Sequence, residues 1–244
     1  MEIRAGTSGY SYKEWLGSFY PEKLPARQML AYYAERLPAV EINNTFYRLP
    51  KESVVASWGA QVPDTFRFAI KASQRITHMK RLKDAGDETA YLLRTVATLG
   101  EKLGVLLFQL PPNARADRDR LASFLDLLPA GTRAAFEFRH PSWSEPAIAE
   151  LLRSRDVALV VADTDEVPAT DLVATASFGY LRLRRTEYDE AAIAAWATRV
   201  TSQPWSEAFV LFKHEDEGAG PRFAAAFLER TRRLVSNDSS SASS

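Results

Sequence analysis

Short runs rich in β-branched and aromatic residues recur along the chain, each followed by a stretch long enough to cross back, and this rhythm restricts the fold more than any other feature. Parallel neighbours need a crossover of about a dozen residues or more, usually a helix, whereas antiparallel ones need only a tight turn. The runs are Glu2 to Ser8, Ala39 to Asn43, Phe66 to Lys71, Gly104 to Leu110, Ala134 to Arg139, Ala158 to Asp163, Tyr180 to Arg184 and Ala208 to Lys213. Helical intervals fall at Ala26 to Arg36, Asp87 to Lys102, Arg115 to Leu128, Pro146 to Ser154, Glu190 to Val200 and Pro221 to Leu234, with the weakest pattern over Lys51 to Gly59. The eight units predict a closed (β/α)8 TIM barrel of the α/β class; an open doubly wound sheet is the other arrangement the pattern permits. The 244 residues fit one such barrel, so residues 1–235 are expected as a single domain. Residues 236–244, SNDSSSASS, are too polar to offset the entropy of ordering and read as a frayed tail.

Composition narrows the chemistry. With 46% hydrophobic residues the chain can bury a full core, and its 31 basic side chains cancel its 31 acidic ones, so any affinity for nucleic acid must come from a local patch. There is no cysteine, which removes disulfides, thiol nucleophiles and thiolate metal ligands. Three histidines, His78, His140 and His214, occur without HxH or HExxH spacing. His140 and His214 follow the fifth and eighth runs, but a metal site built on them with Glu41, Glu137 or Asp163 is a poor match to known ligand spacings. Metal-independent chemistry with no cofactor is therefore expected. The start, MEIRAGTSGY, lacks an apolar signal region, and no run of about 18 apolar residues occurs, so a cytoplasmic protein without a membrane span is expected.

Charged residues inside barrel strands need an explanation, because such strands are covered on both faces. Here they alternate with apolar ones. Val40 and Ile42 oppose Glu41 and Asn43; Phe66, Phe68 and Ile70 oppose Arg67, Ala69 and Lys71; Phe136 and Phe138 oppose Glu137 and Arg139. Leu181 and Leu183 oppose Arg182 and Arg184, and Val210 and Phe212 oppose Leu211 and Lys213. A period of two puts one set on each face. Gln109 and Asp163, in phase with Leu107 and Val161, join the polar set, which is expected to face the barrel axis at the C-terminal strand ends, where barrel enzymes build their sites.

Several strings can be weighed together: GTSGYSYKEW followed by FYP, VEINNTFYRLP, IKASQRITH, FQLPP and EFRHPSW, in that order along the chain. Together they resemble the YecE-like family, a domain of unknown function, over the span from the first strand to the eighth. The resemblance implies a TIM-barrel fold and no reaction; a DNA-binding role has been suggested for the family only by likeness of its barrel to apurinic endonucleases. Many members carry Asn-Asn at the end of the last strand and His-Gly at the end of the seventh, where this chain has Lys213-His214 and Arg184-Arg185. The departure is toward positive charge.

The expected site follows from these placements. Glu41, Glu137 and Lys71 are the candidate catalytic residues, the two carboxylates as proton carriers. Three strands apart, they are too distant for a retaining glycosidase pair. Asn43, Gln109, Arg139, Asp163, Arg182, Arg184 and Lys213 are the candidate binding residues, with Tyr12, Tyr47 and Trp143 as aromatic neighbours. Five inward bases against three inward acids favour a small anionic ligand carrying phosphate or carboxylate. A self-neutralising ion-pair network is the structural alternative, and a nucleic-acid-binding module using the basic, aromatic mouth is the functional one. The basic string KASQRITHMKRLKD is balanced by Asp84, Asp87 and Glu88 and reads as a solvated face, apart from Lys71 in strand phase.

Overall fold

A computed structural model describes residues 1–169, 171–213 and 218–241. Its nine strands are β1 (Glu2–Ser8), β2 (Ala39–Ile42), β3 (Arg67–Lys71), β4 (Leu103–Gln109), β5 (Ala134–Glu137), β6 (Ala158–Leu159), β7 (Val161–Asp163), β8 (Phe178–Leu183) and β9 (Glu207–Phe212). All pairings are parallel, in the order β6-β5-β4-β3-β2-β1-β9-β8-β7. The two ends of that order are consecutive pieces of one strand interrupted at Val160. Its first half pairs with β5 and its second half with β8, so a single segment closes the ring. The fold is the expected single-domain α/β barrel, with eight strand positions.

Among the described residues six helices lie in the crossovers, α1 (Met29–Ala34), α2 (Glu52–Ala60), α3 (Gly86–Val96), α4 (Arg118–Leu125), α5 (Pro146–Ser154) and α6 (Glu190–Thr201), and α7 (Ala219–Ser241) follows the last strand. Helix α2 occupies the interval whose sequence pattern is weakest. Helix starts have local causes. Asp117 and Asp189 accept the backbone N–H groups of Arg120 and Ala192 at the starts of α4 and α6, and Pro146 opens α5 with its ring already at helical φ. Helix α7 continues to Ser241, into the segment read from sequence as a polar tail.

Strand alternation separates two apolar layers. Val40, Phe68, Ile70, Phe108, Phe136, Leu181, Val210 and Phe212 pack outward against the helices. Ala39, Ala69, Val105, Leu107, Ala135, Val160, Phe178, Tyr180, Phe209 and Leu211 fill the barrel. Fully buried rings such as Phe108, stacked on Phe136 with centroids 5.0 Å apart, contribute about 1.5–3 kcal/mol each from burial. The N-terminal end of the barrel is stoppered by Arg4, whose Nε donates to Glu207 Oε1 at 2.7 Å while Arg133 pairs with the same carboxylate. At Gly6 the β1 backbone passes so close to β2 that a Cβ would lie 1.8 Å from the Ala39 carbonyl oxygen. Only glycine fits there.

One expected orientation is corrected. Asp163 does not face the axis: it is paired in register with Leu183, and Val161 with Leu181, both of the outward layer. The inward phase of that strand belongs to Ala158, Val160 and Ala162, whose register partner is Arg182. Asp163 is buried on the helical side, where Arg185 Nη2 and the Tyr188 hydroxyl donate to its two oxygens at 2.9 and 2.8 Å. Its burial is satisfied there without any role in the barrel mouth.

Candidate functional site

Register and alternation bring the polar side chains together. Ser8 lies beside Glu41 across β1 and β2, and Gln109 beside Glu137 across β4 and β5. From the opposite wall, β8 extends Arg182 into the space between the two carboxylates. Its Nε and Nη2 donate to Glu41 Oε2 and Oε1 at 2.9 and 2.8 Å, and its Nη1 donates to Glu137 Oε2 at 2.6 Å. Ser8 Oγ and the Tyr180 hydroxyl complete Glu41, each at 2.8 Å. Gln109 Nε2 donates to Glu137 Oε1 at 2.7 Å, and Lys71 Nζ donates to Gln109 Oε1 at 2.8 Å. Arg139 Nε reaches Glu137 Oε1 at 3.2 Å from the open side. The guanidinium fills the gap between the carboxylates, so no sugar ring can lie between them as in a glycosidase.

The electrostatics follow from this geometry. Burial alone would raise Glu41 and Glu137, but the Arg182 charge and its hydrogen bonds overcome it, holding Glu41 below the usual carboxylate range and Glu137 down at about 2. Arg182 loses hydration yet is held firmly protonated by the same two carboxylates. Burial against Glu41 raises Tyr180, keeping it a hydrogen-bond donor. Lys71 is the contrasting group. Burial, then the Arg182 charge, push its ammonium down to about 8, and no carboxylate stands within ion-pair distance of Nζ among the described residues.

Above this layer the mouth opens to solvent. Arg184, half-buried, has no carboxylate at ion-pair distance among the described residues, and burial together with Arg182 lowers it. Arg139 is exposed, while Lys213 is half-buried where its N–H continues the β8–β9 pairing to Leu183. Asn43, at the end of β2, presents a buried Oδ1 that meets no donor. The turn Asn44–Phe46 is pinned by Thr45, whose Oγ1 lies 2.7 Å from the Lys71 carbonyl oxygen, and so carries the Phe46 ring to 4.4 Å from Lys71 Nζ. Tyr47 is 74% exposed and meets the Phe46 ring nearly at right angles, with centroids 5.1 Å apart. Beyond Phe46, edge-on to its ring, lies His78; burial and the charges of Lys71, Arg139 and Arg81 lower it. His78 belongs to the π-helical turn Arg75–Met79, a geometry frequent at functional sites.

Two expected aromatics are engaged by neighbouring protein groups. Trp143 is stacked on Phe138 at 4.1 Å, and its indole N–H donates to the Ala114 carbonyl, so it roofs the outward layer rather than the charged mouth. Tyr12 donates to the Ser8 carbonyl at 2.7 Å and packs on Trp15. Ser8 and Tyr180 are the site residues absent from the expected set. Their phase marks them, since Ser8 alternates with Thr7 and Tyr180 stands two before Arg182, but neither carries a charge that draws notice. The described residues hold no group of three or more His, Asp or Glu placed for a metal ion, and His214 lies outside the described residues.

Parallel strands closed into a ring, with polar side chains gathered at their C-terminal ends, define a TIM-type α/β barrel with a cation-rich mouth. Within that class, the chain belongs to the family described as "Protein of unknown function DUF72", whose family model matches residues 4–243. It is 33% identical over 143 residues to UPF0759 protein YecE of Escherichia coli, and 28% identical over 141 residues to UPF0759 protein YunF of Bacillus subtilis. These alignments take in 56% and 54% of this chain, which spans about half the length of the curated relatives it matches, 53% and 50%. The crystal structure of a DUF72 protein from Thermotoga maritima superposes with a TM-score of 0.84 at 26% identity, covering 95% of this chain and all of that one. A second, from Enterococcus faecalis, gives 0.80 at 21% identity over 94% and 95% of the two chains. No helix among the described residues is long and apolar enough to cross a membrane.

Proposed function

We propose that the mouth of the barrel binds a small organic molecule through its phosphate or carboxylate group, and that Lys71 exchanges protons with it, without a metal or other cofactor. The observation that carries this reading is the charge imbalance left once the buried network is counted. Glu41 and Glu137 are taken up by Arg182 and Arg139, Asp163 is turned away, and Lys71 and Arg184 remain with no carboxylate at ion-pair distance among the described residues. An anion there would relieve mutual repulsion among cations in a partly dehydrated cleft. In this reading the two glutamates hold Arg182, which fixes the floor of the site. Glu41, with all four acceptor positions occupied and held below the usual carboxylate range, and Glu137, held at about 2, are poor bases, whereas a lysine near 8 is matched to proton transfer at neutral pH.

The test is anion-induced thermal stabilisation with sulfate, phosphate and simple carboxylates. Wild-type protein is expected to gain several degrees in Tm at saturating phosphate, Arg184→Ala to lose most of that gain, and the surface variant Arg232→Ala to keep it. Equal responses in both variants would leave a purely structural ion-pair network. The exposed ring of Tyr47 beside the basic rim supports a second reading, in which single-stranded nucleic acid stacks on the mouth without being changed.

A further inference from the structure

Resting on that reading of the mouth, we propose that Lys71 is a nucleophile that condenses with the carbonyl carbon of a small phosphate- or carboxylate-bearing aldehyde or ketone, while Arg184 and Arg139 hold the anionic end. The geometry around Nζ separates this lysine from an ordinary salt-bridging one. Among the described residues its single side-chain hydrogen bond runs to the neutral carbonyl oxygen of Gln109. That amide cannot present its nitrogen instead, because the nitrogen is donating to Glu137. An amine and an ammonium can both donate to such an acceptor, so Lys71 loses a proton without breaking an ion pair, and the freed lone pair is left for a ligand. The Phe46 ring, 4.4 Å away, keeps water off one side of the nitrogen.

The groups that set its protonation come from several walls. Arg182 on β8 and Arg184 just past its end disfavour the ammonium, and Glu41 on β2 and Glu137 on β5 favour it. Burial adds to the first pair and wins, placing Lys71 at about 8. A good fraction of amine is therefore present at mildly alkaline pH, whereas an exposed lysine near 10.4 has well under one part in a hundred.

The step balances without an oxidant or reductant. The Nζ lone pair forms the nitrogen–carbon bond as the carbonyl π pair moves onto oxygen, which takes the proton released by nitrogen to give a carbinolamine. A solvent proton on that hydroxyl lets it leave as water, and the nitrogen lone pair forms the C=N bond of a protonated imine. Arg184 and Arg139, placed to bind the substrate's fixed negative charge, orient the carbonyl toward Nζ.

Reductive trapping tests this directly. The full chain is incubated at pH 8 with glyceraldehyde 3-phosphate or with pyruvate in the presence of cyanoborohydride, digested, and the modified lysines are located by mass spectrometry. With at least one of the two probes, Lys71 is expected to be labelled at least about tenfold faster than the exposed Lys13, Lys51 and Lys83 of the same molecules. Which probe labels it separates phosphate from carboxylate recognition. Unphosphorylated glyceraldehyde is expected to label Lys71 more slowly than its phosphate, and inorganic phosphate to protect wild-type Lys71, a readout that needs no variant. Lys71→Arg, which keeps the charge but forms no such imine, is expected to lose the adduct while retaining phosphate-induced stabilisation. Labelling of Lys71 no faster than of the exposed lysines with both probes overturns the proposal. If phosphate still stabilises the protein in that case, the anion site stands and only the covalent step fails.

Discussion

Arg182 ties together opposite walls of the barrel, and its energetics are those of a charge that is costly to bury and more costly to orphan. Removing it leaves Glu41 without a countercharge and Glu137 with Arg139 alone, in a site that is 0% and 2% exposed at the two carboxylates. Breaking a buried pair in this way costs about 3–5 kcal/mol. Arg182→Met is expected to lower the unfolding free energy in urea by at least that much, and Arg182→Lys to recover little, since one ammonium cannot donate to both carboxylates in the fork geometry. The same contacts set an acid limit. Glu137 has a folded pKa of about 2 against about 4.3 unfolded, so its contribution is complete above the unfolded value and is lost as pH falls through that range toward 2. Glu41 is shifted in the same direction and adds to the loss. Unfolding free energy measured from pH 6 to pH 2.5 is expected to fall steeply below about pH 4.5, with a shallower slope in Glu137→Gln. Lys71 has the opposite sense for a base. Its folded pKa, about 8, lies below the unfolded value of about 10.4, so it opposes folding at neutral pH and that penalty fades as pH rises between the two.

At the level of elements, strand positions and parity carry most of what the sequence discloses. A period of two is a local property, so Glu41, Lys71, Gln109, Glu137, Arg182 and Arg184 are placed on the inner face from the chain alone. Asp163 is the failure of the same logic. Its polarity suggests the inward phase, but Ala158, Val160 and Ala162 hold that phase, and a buried carboxylate is satisfied equally well on the outer side by Arg185 and Tyr188. The saturation of Glu41 by Ser8, Tyr180 and Arg182 is not legible either, because it depends on how far a guanidinium reaches across a closed ring. Nor is the turn after β3, where Arg81, Leu82 and Asp84 all adopt positive φ although none is glycine. The glycines offer an element-level contrast. Gly6→Ala would drive a methyl into the Ala39 carbonyl and force β1 off β2, which is expected to cost about 1–3 kcal/mol or more. Gly86, the first residue of α3, has open space around its Cβ position, so Gly86→Ala is expected to be neutral or to stabilise by up to about 1 kcal/mol. Thermal unfolding of the two variants checks both, and similar Tm values would contradict the close approach of β1 and β2.

For the whole molecule, the 31 basic and 31 acidic residues cancel while Lys71, Arg139 and Arg184 gather at the mouth, so attraction of an anion there is local and short-ranged. This makes salt dependence a discriminating measurement. A nucleic acid bound across the basic rim must engage several phosphates at once, and each neutralised phosphate of a single strand contributes about −0.7 to the slope of log K against log salt concentration. A pocket whose rim offers Lys71, Arg139 and Arg184 neutralises one phosphate or carboxylate group, so its slope should stay within about −1 to −2. Binding of a small phosphate ester and of a labelled oligonucleotide, each titrated from 50 to 300 mM salt, is expected to give the shallow slope for the ester and only weak, steeply salt-sensitive affinity for the oligonucleotide. Tight oligonucleotide binding with a slope beyond about −4, abolished in Arg184→Ala, would instead assign the mouth to nucleic acid and remove the small-anion reading. Tyr47→Ala sharpens the comparison. Its ring stands 74% exposed, outside the hydrogen-bonded floor, so losing it should leave ester affinity nearly intact while weakening any stacked base by about 1–3 kcal/mol.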